Sequence, residues 1–168
     1  MSTREIVTLP EPVLRRKAQQ VTRFDAALQV LIDDMVETMR AAPGVGLAAP
    51  QVKVPQRVIV VEYAEDDSDE ESKKRLFVLV NPEIVKSSEE TEMGVEGCLS
   101  VPGLVGDVPR ALEVTVRGRN RHGQPMRVKA DGWLARIFQH EVDHLNGIVF
   151  SDRAVRIWKP KEPVEDNV

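Results

Sequence analysis

Five consecutive residues, His140-Glu141-Val142-Asp143-His144, interrupt an otherwise apolar helical stretch, and few folds can accommodate them. Positions four apart on an α-helix differ by roughly 40° around its axis, so His140 and His144 project from one face and can share an ion, with Glu141 beside them. Leu134, Ile137, Phe138 and Leu145 flank the run at helical spacing, so the helix that carries it is expected to be buried. Two buried imidazoles and a carboxylate are costly unless they have partners. The spacing predicts this helix over 132–146, with Asp131 as its N-cap and Gly147 as its left-handed terminator.

The rest of the chain supplies the material to wrap around it. Leu28, Leu31, Ile32, Met35 and Met39 recur at helical spacing between Asp25 and Met39, which predicts a second helix that stops at Ala41-Ala42-Pro43-Gly44. Arg57 to Glu62 and Arg75 to Asn81 read as strands rich in branched residues, separated by the acidic run over 65–75, which reads as an exposed loop. Leu112, Val114 and Val116 alternate with polar residues, and Met126, Val128 and Ala130 do so again beyond a turn over 118–124, the pattern of a hairpin. Residues 159–168 contain Pro160 and Pro163 and read as a loosely ordered tail. With no internal repeat and no long linker, residues 1–168 are expected to form a single α+β domain, its antiparallel strands packed around a central motif-bearing helix.

A formal net charge of -4 argues against bulk nucleic-acid binding, and the basic stretch from Arg117 to Lys129 reads as a solvated hairpin. No apolar run approaches the roughly 20 residues of a membrane span, and Met1-Ser2-Thr3-Arg4-Glu5 does not open a signal segment, so a cytoplasmic protein without membrane or specific nucleic-acid partners is expected. The single cysteine, Cys98, has no partner within the chain for a disulfide. Its thiol is left to be a core group, a nucleophile or a metal ligand.

A catalytic metal site wants three protein ligands and an open position. No histidine follows His144, and the later acids Glu162 and Glu165 lie in the tail, so the better third ligand is upstream, Cys98 in Glu96-Gly97-Cys98-Leu99-Ser100.

Three segments, Gly44-Val45-Gly46-Leu47-Ala48-Ala49-Pro50-Gln51, Glu96-Gly97-Cys98-Leu99-Ser100 and Gln139-His140-Glu141-Val142-Asp143-His144, resemble the three motifs of the peptide deformylases, in that family's order. The resemblance implies Cys98, His140 and His144 as ligands of one divalent ion, Fe(II) being the most active and zinc, nickel or cobalt also able to bind. It implies Glu141 as general base acting on metal-bound water, and the Gln51 amide with the Leu99 N–H as oxyanion donors. Gly46 matches a glycine whose backbone lines the site, Glu96 a buried acid behind it, and Arg110 a basic residue that pairs with Glu96. Trp133, Arg136 and Ile137 lie seven, four and three residues before His140, on about the same helix face, and should border the metal. There the family receives the methionine side chain of its substrate, with Val45 opposite. The implied reaction removes the formyl group from N-formylmethionyl peptides and nascent chains, and the family allows a transient ribosome contact. Three other readings fit parts of the pattern: an H-E-x-x-H endopeptidase, a hydrolase with Cys98 as nucleophile, and a metal-binding module without catalysis.

Overall fold

The computed structural model describes residues 2–64 and 74–161. The helices are α1 (Ala26–Ala41), α2 (Gly132–Leu145) and the single turn α3 (Phe150–Arg153), with 3-10 turns at Pro12–Arg15 and Ala49–Val52. The strands are β1 (Gly46–Ala48), β2 (Val58–Tyr63), β3 (Arg75–Ser87), β4 (Thr91–Cys98), β5 (Val101–Ala111), β6 (Glu113–Arg119), β7 (Pro125–Asp131) and β8 (Arg156–Trp158). They form two antiparallel sheets, one ordered β1-β2-β3-β6-β7 and the other β4-β5-β8.

The larger sheet lies between the two main helices. Ile59 and Val61 of β2 join Phe77, Leu79, Val114 and Val116 against Leu134, Ile137, Phe138 and Leu145 of α2. Val58 and Val60 point the other way, into Leu31, Ile32, Met35 and Met39 of α1. A strand covered on both faces has no polar side, which is why this segment reads as an unbroken apolar run. Cys98, Val101 and Val108 of the smaller sheet pack against Val149 and Phe150 in a separate cluster.

The hairpin of β6 and β7 and the helix that begins after Asp25 form as the sequence predicts, and the Asp25 carboxylate accepts from the Leu28 N–H at 3.0 Å. β3 runs past Asn81, the end that the sequence predicts for this strand. A register shift between Val80 and Glu83 absorbs the irregularity, and Asn81 takes φ +53 while its side chain bonds both the N–H and the C=O of Val21. Asp131 stands at the N-cap of α2 but its side chain makes no cap hydrogen bond; the Gly132 N–H goes instead to Leu112 O at 2.9 Å. Gly147 ends the helix with φ +76, and a side chain there would meet Arg15 O at 2.6 Å, so only glycine fits. The buried Arg57 closes this end of the helix, donating to Leu145 O at 2.9 Å and to Asn146 Oδ1 at 3.0 Å. β8 was not foreseen; it brings the chain back along β5 just before the segment read as tail. The acidic run at 65–73 and the tail at 162–168 lie outside the described residues.

Candidate active site

α2 turns one face toward the end of β4. His140, Glu141 and His144 are buried on that face, Cys98 closes β4 opposite them, and one ligand atom from each of Cys98, His140 and His144 lies within 4.8 Å of the others. Cys98 Sγ is 3.3 Å from His144 Nε2. It also receives the Ser100 N–H at 3.5 Å and the Gln51 amide at 3.6 Å. The same Gln51 nitrogen donates to Ser100 Oγ at 3.1 Å, while Gln51 Oε1 accepts from Ala48 N at 3.0 Å, which fixes the amide's orientation.

Behind His140 stands Glu96, whose Oε1 is 2.9 Å from Nδ1. This contact puts a proton on Nδ1 and turns Nε2 toward the cluster. Arg110 grips Glu96 with Nε and Nη2, both at 2.9 Å, and Arg136 Nη1 reaches Oε2 at 2.6 Å. Burial alone would raise the Glu96 pKa, but the hydrogen bonds from Arg110 and His140 outweigh it and hold the carboxyl well below the usual carboxylate range. Burial likewise pulls His140 down, yet the neighbouring Cys98 and the hydrogen bond with Glu96 prevail and hold the bare imidazole up at about 10. A metal ion entering must displace that proton. His144 is pushed down by burial and by its neighbour His140. Glu141 is raised to about 7, first by burial, with His140 opposing.

The donor set fits a metal ion. His140 Nε2 and both oxygens of Glu141 are buried without a hydrogen-bond partner in the protein, and His144 turns Nε2 toward Cys98. A buried thiol and two imidazoles arranged around one point are soft and borderline donors suited to a first-row divalent cation.

The other residues singled out in the sequence take the following places. Gly46 runs directly against the Glu141 carboxylate. Leu99 occupies the turn between β4 and β5. Val45 and Trp133 are half-buried and pack on the core cluster that contains Ile137. Arg136 points its guanidinium at an acid, Glu96, and completes its bonding with Val108 O at 2.8 Å and Glu92 O at 2.7 Å. A cavity of about 150 Å³ lies beside it, lined by Met93, Gly94, Leu112 and Trp133 among others. A larger groove of about 550 Å³, between β3, β6 and β7, contains none of the motif residues. Sequence reasoning missed Gly94, Ser100, Asp143 and Arg153. Asp143 alone carried a signal, as an acid on a helix that had to be buried.

An α+β domain that gathers a thiol, two imidazoles and an unpaired carboxylate in one buried cluster has the make-up of a metal-dependent hydrolase. The chain matches the polypeptide deformylase family over residues 3–159. It is 52% identical over 157 residues to the peptide deformylase of Halothermothrix orenii, covering 94% of this chain and 97% of that protein. With the peptide deformylase of Natranaerobius thermophilus it shares 46% over 162 residues, 96% of this chain and 99% of the relative. Among solved structures, the peptide deformylase of Ehrlichia chaffeensis in complex with actinonin superposes with a TM-score of 0.86 at 40% identity, over 93% of this chain and 91% of that one. The peptide deformylase of Legionella pneumophila does so with a TM-score of 0.81 at 45% identity, over 90% and 86%. This chain belongs to the peptide deformylase family, enzymes that remove the N-formyl group from nascent peptides.

Proposed function

We propose that the chain hydrolyses the formyl amide of N-terminal formylmethionine on newly made peptides in the cytoplasm, releasing formate, with Glu141 as general base. Cys98, His140 and His144 hold one divalent ion in this reading, ferrous iron being the most active and zinc, nickel or cobalt able to take the same donors. When bound, the ion supplies Lewis acidity and makes hydroxide available near neutral pH. Glu141 accepts the proton of the attacking water and delivers it to the amine as the C–N bond breaks; a pKa near 7 suits both transfers. The Gln51 amide, held in place through Ala48, and the Leu99 N–H donate to the developing oxyanion. Val45, Gly46, Trp133 and Ile137 receive the methionine side chain together with the aliphatic stem of Arg136, whose charged head is occupied by Glu96. Contact with the ribosome, where such substrates emerge, is transient.

The observation that carries this reading is the convergence of Cys98, His140 and His144 within 4.8 Å beside a buried carboxylate with no partner. The test is hydrolysis of formyl-Met-Ala-Ser with and without a chelator, compared with the acetylated and the unblocked peptide. Formate release that stops on chelation and resumes on anaerobic addition of Fe(II), above the rate with zinc, supports it. Cleavage of the unblocked peptide at an internal bond points to an endopeptidase instead, and chelator-resistant turnover that thiol alkylation abolishes points to Cys98 as nucleophile.

A further inference from the structure

We propose that Asp143 is a positioning residue for the metal ligand His140, acting through Arg110 and Glu96 and itself held by Arg153. The inference rests on the metal reading given above and extends it to a residue inside the motif that has no assigned chemistry.

Asp143 lies on α2 three residues after His140, with its side chain only 12% exposed, and guanidiniums from two other elements take up both its oxygens. Arg110 of β5 donates Nη1 to Oδ2 at 2.6 Å. Arg153 of α3 donates Nε to Oδ2 at 2.6 Å and Nη2 to Oδ1 at 3.0 Å. The chain of contacts then continues inward, from Arg110 through its two-pronged grip on Glu96 to His140 Nδ1. Arg153, with a side chain 46% exposed, is the outer end of this chain, and the imidazole is its inner end.

Geometry and charge act in the same direction here. The guanidinium is planar, so holding Nη1 at Asp143 fixes the plane in which Nε and Nη2 meet Glu96. The Glu96 carboxylate in turn sets the plane and tautomer of the His140 ring. Without Asp143, Arg110 is free to pivot on Glu96, and the imidazole loses its fixed aim. The cluster also carries three guanidiniums, Arg110, Arg136 and Arg153, against two carboxylates, Glu96 and Asp143. Neutralising Asp143 leaves a larger positive surplus next to the place where a cation is to bind. A residue that only stapled α3 and β5 to α2 would affect folding but not the metal.

The experiment measures zinc affinity, by competition with a chromophoric chelator, for wild type, Asp143→Asn, Glu96→Gln and the double variant. The ¹⁵N and ¹H shifts of the His140 ring are recorded in each metal-free protein. The expected result is a loss of ~10- to 100-fold in zinc affinity for Asp143→Asn, the usual cost of removing a partner behind a ligand, with a shifted His140 resonance. In the Glu96→Gln background the same change should cost clearly less than in wild type, because the route to His140 is already cut and only the charge of Asp143 remains to be lost. Equal factors in both backgrounds, or a lowered melting temperature with unchanged zinc affinity and His140 shifts, would overturn the proposal. Arg153→Ala, at a half-exposed position, is a second variant should Asp143→Asn fail to fold; because it removes a positive charge together with the contact, it is read by the His140 shifts, which should move as in Asp143→Asn, and unchanged shifts in it also overturn the proposal. No substrate is needed, so inactivity on formyl peptides leaves this inference standing, whereas wild-type protein that binds no zinc removes the metal reading and this inference with it.

Discussion

The backbone of Gly46 lies against the carboxylate of Glu141 so closely that a methyl group on Gly46 would stand 2.5 Å from Oε2 and 3.0 Å from the carboxyl carbon. The atoms in the way are the far end of one side chain, so Gly46→Ala should fold and keep its metal while pushing Glu141 aside. Its turnover on formyl-Met-Ala-Ser should fall by ~100-fold or more, the lower end of what a general base contributes. A rate within a few-fold of wild type at equal metal content would show that the carboxylate has room to spare.

Replacing Glu141 by Gln removes the proton acceptor and leaves the three ligand residues untouched. Metal content should therefore match wild type while turnover drops ~100- to 10,000-fold. Retention of more than about a tenth of the rate would mean that another group takes the proton.

Cys98→Ser should fail at an earlier step. A hydroxyl is a harder and far less acidic donor than a thiol, so metal retention through dialysis should fall before any effect on the chemical step can be read. Full occupancy with a merely slower rate would contradict the ligand assignment.

The parts of this molecule that were legible in the sequence are those governed by local periodicity. α1, α2 and the hairpin of β6 and β7 bury one stripe or one face each, and Leu28 through Met39 or Leu112 through Val116 display that directly. β4 and β5 gave no such signal, because Gly94, Gly97, Pro102, Gly106 and Pro109 interrupt both strands. Prolines are tolerated in β5 because β8 pairs only with Val105 to Asp107, so Pro102 and Pro109 fall where no third strand needs their missing N–H. The candidate ligands His140 and His144 could be named from motif spacing, and Cys98 from the lack of a later donor and from the resemblance. Of the polar cluster behind them only the pair of Glu96 and Arg110 was anticipated, through the resemblance, since Arg136, Asp143 and Arg153 join it only through tertiary packing.

Gly94 and Arg136 form a reciprocal pair. A Cβ on Gly94 would lie 2.6 Å from the Arg136 Cζ and 2.7 Å from Nη2, and that guanidinium is already tied to Glu96, Val108 O and Glu92 O. Gly94→Ala should therefore destabilise the protein by ~1–3 kcal/mol, the usual cost of overpacking. In an Arg136→Met background, where no guanidinium fills the space, the same substitution should cost markedly less in urea unfolding. Additive costs would mean that Arg136 moves aside without resistance.

Glu96 should give this fold a distinctive response to acid. Its ordinary pKa of 4.5 is lowered in the folded protein, where the hydrogen bonds from Arg110 and His140 overcome burial. Between the ordinary value and the lower folded one, the unfolded chain takes up a proton that the folded protein refuses. The stabilisation linked to the Glu96 charge is therefore complete above the ordinary value and declines as pH falls below it, by at most ~1.4 kcal/mol per pH unit. Glu96→Gln has no such proton to bind. At pH 7 it should be less stable than wild type by ~3–5 kcal/mol, because Arg110 and Arg136 lose the charge they enclose. Urea unfolding of the metal-free proteins should show that gap holding down to the ordinary glutamate range and narrowing steadily in more acidic buffer. A gap of constant size into strong acid would mean that Glu96 binds its proton equally in both states, and the two arginines would then be packing around a carboxyl they do not hold ionised.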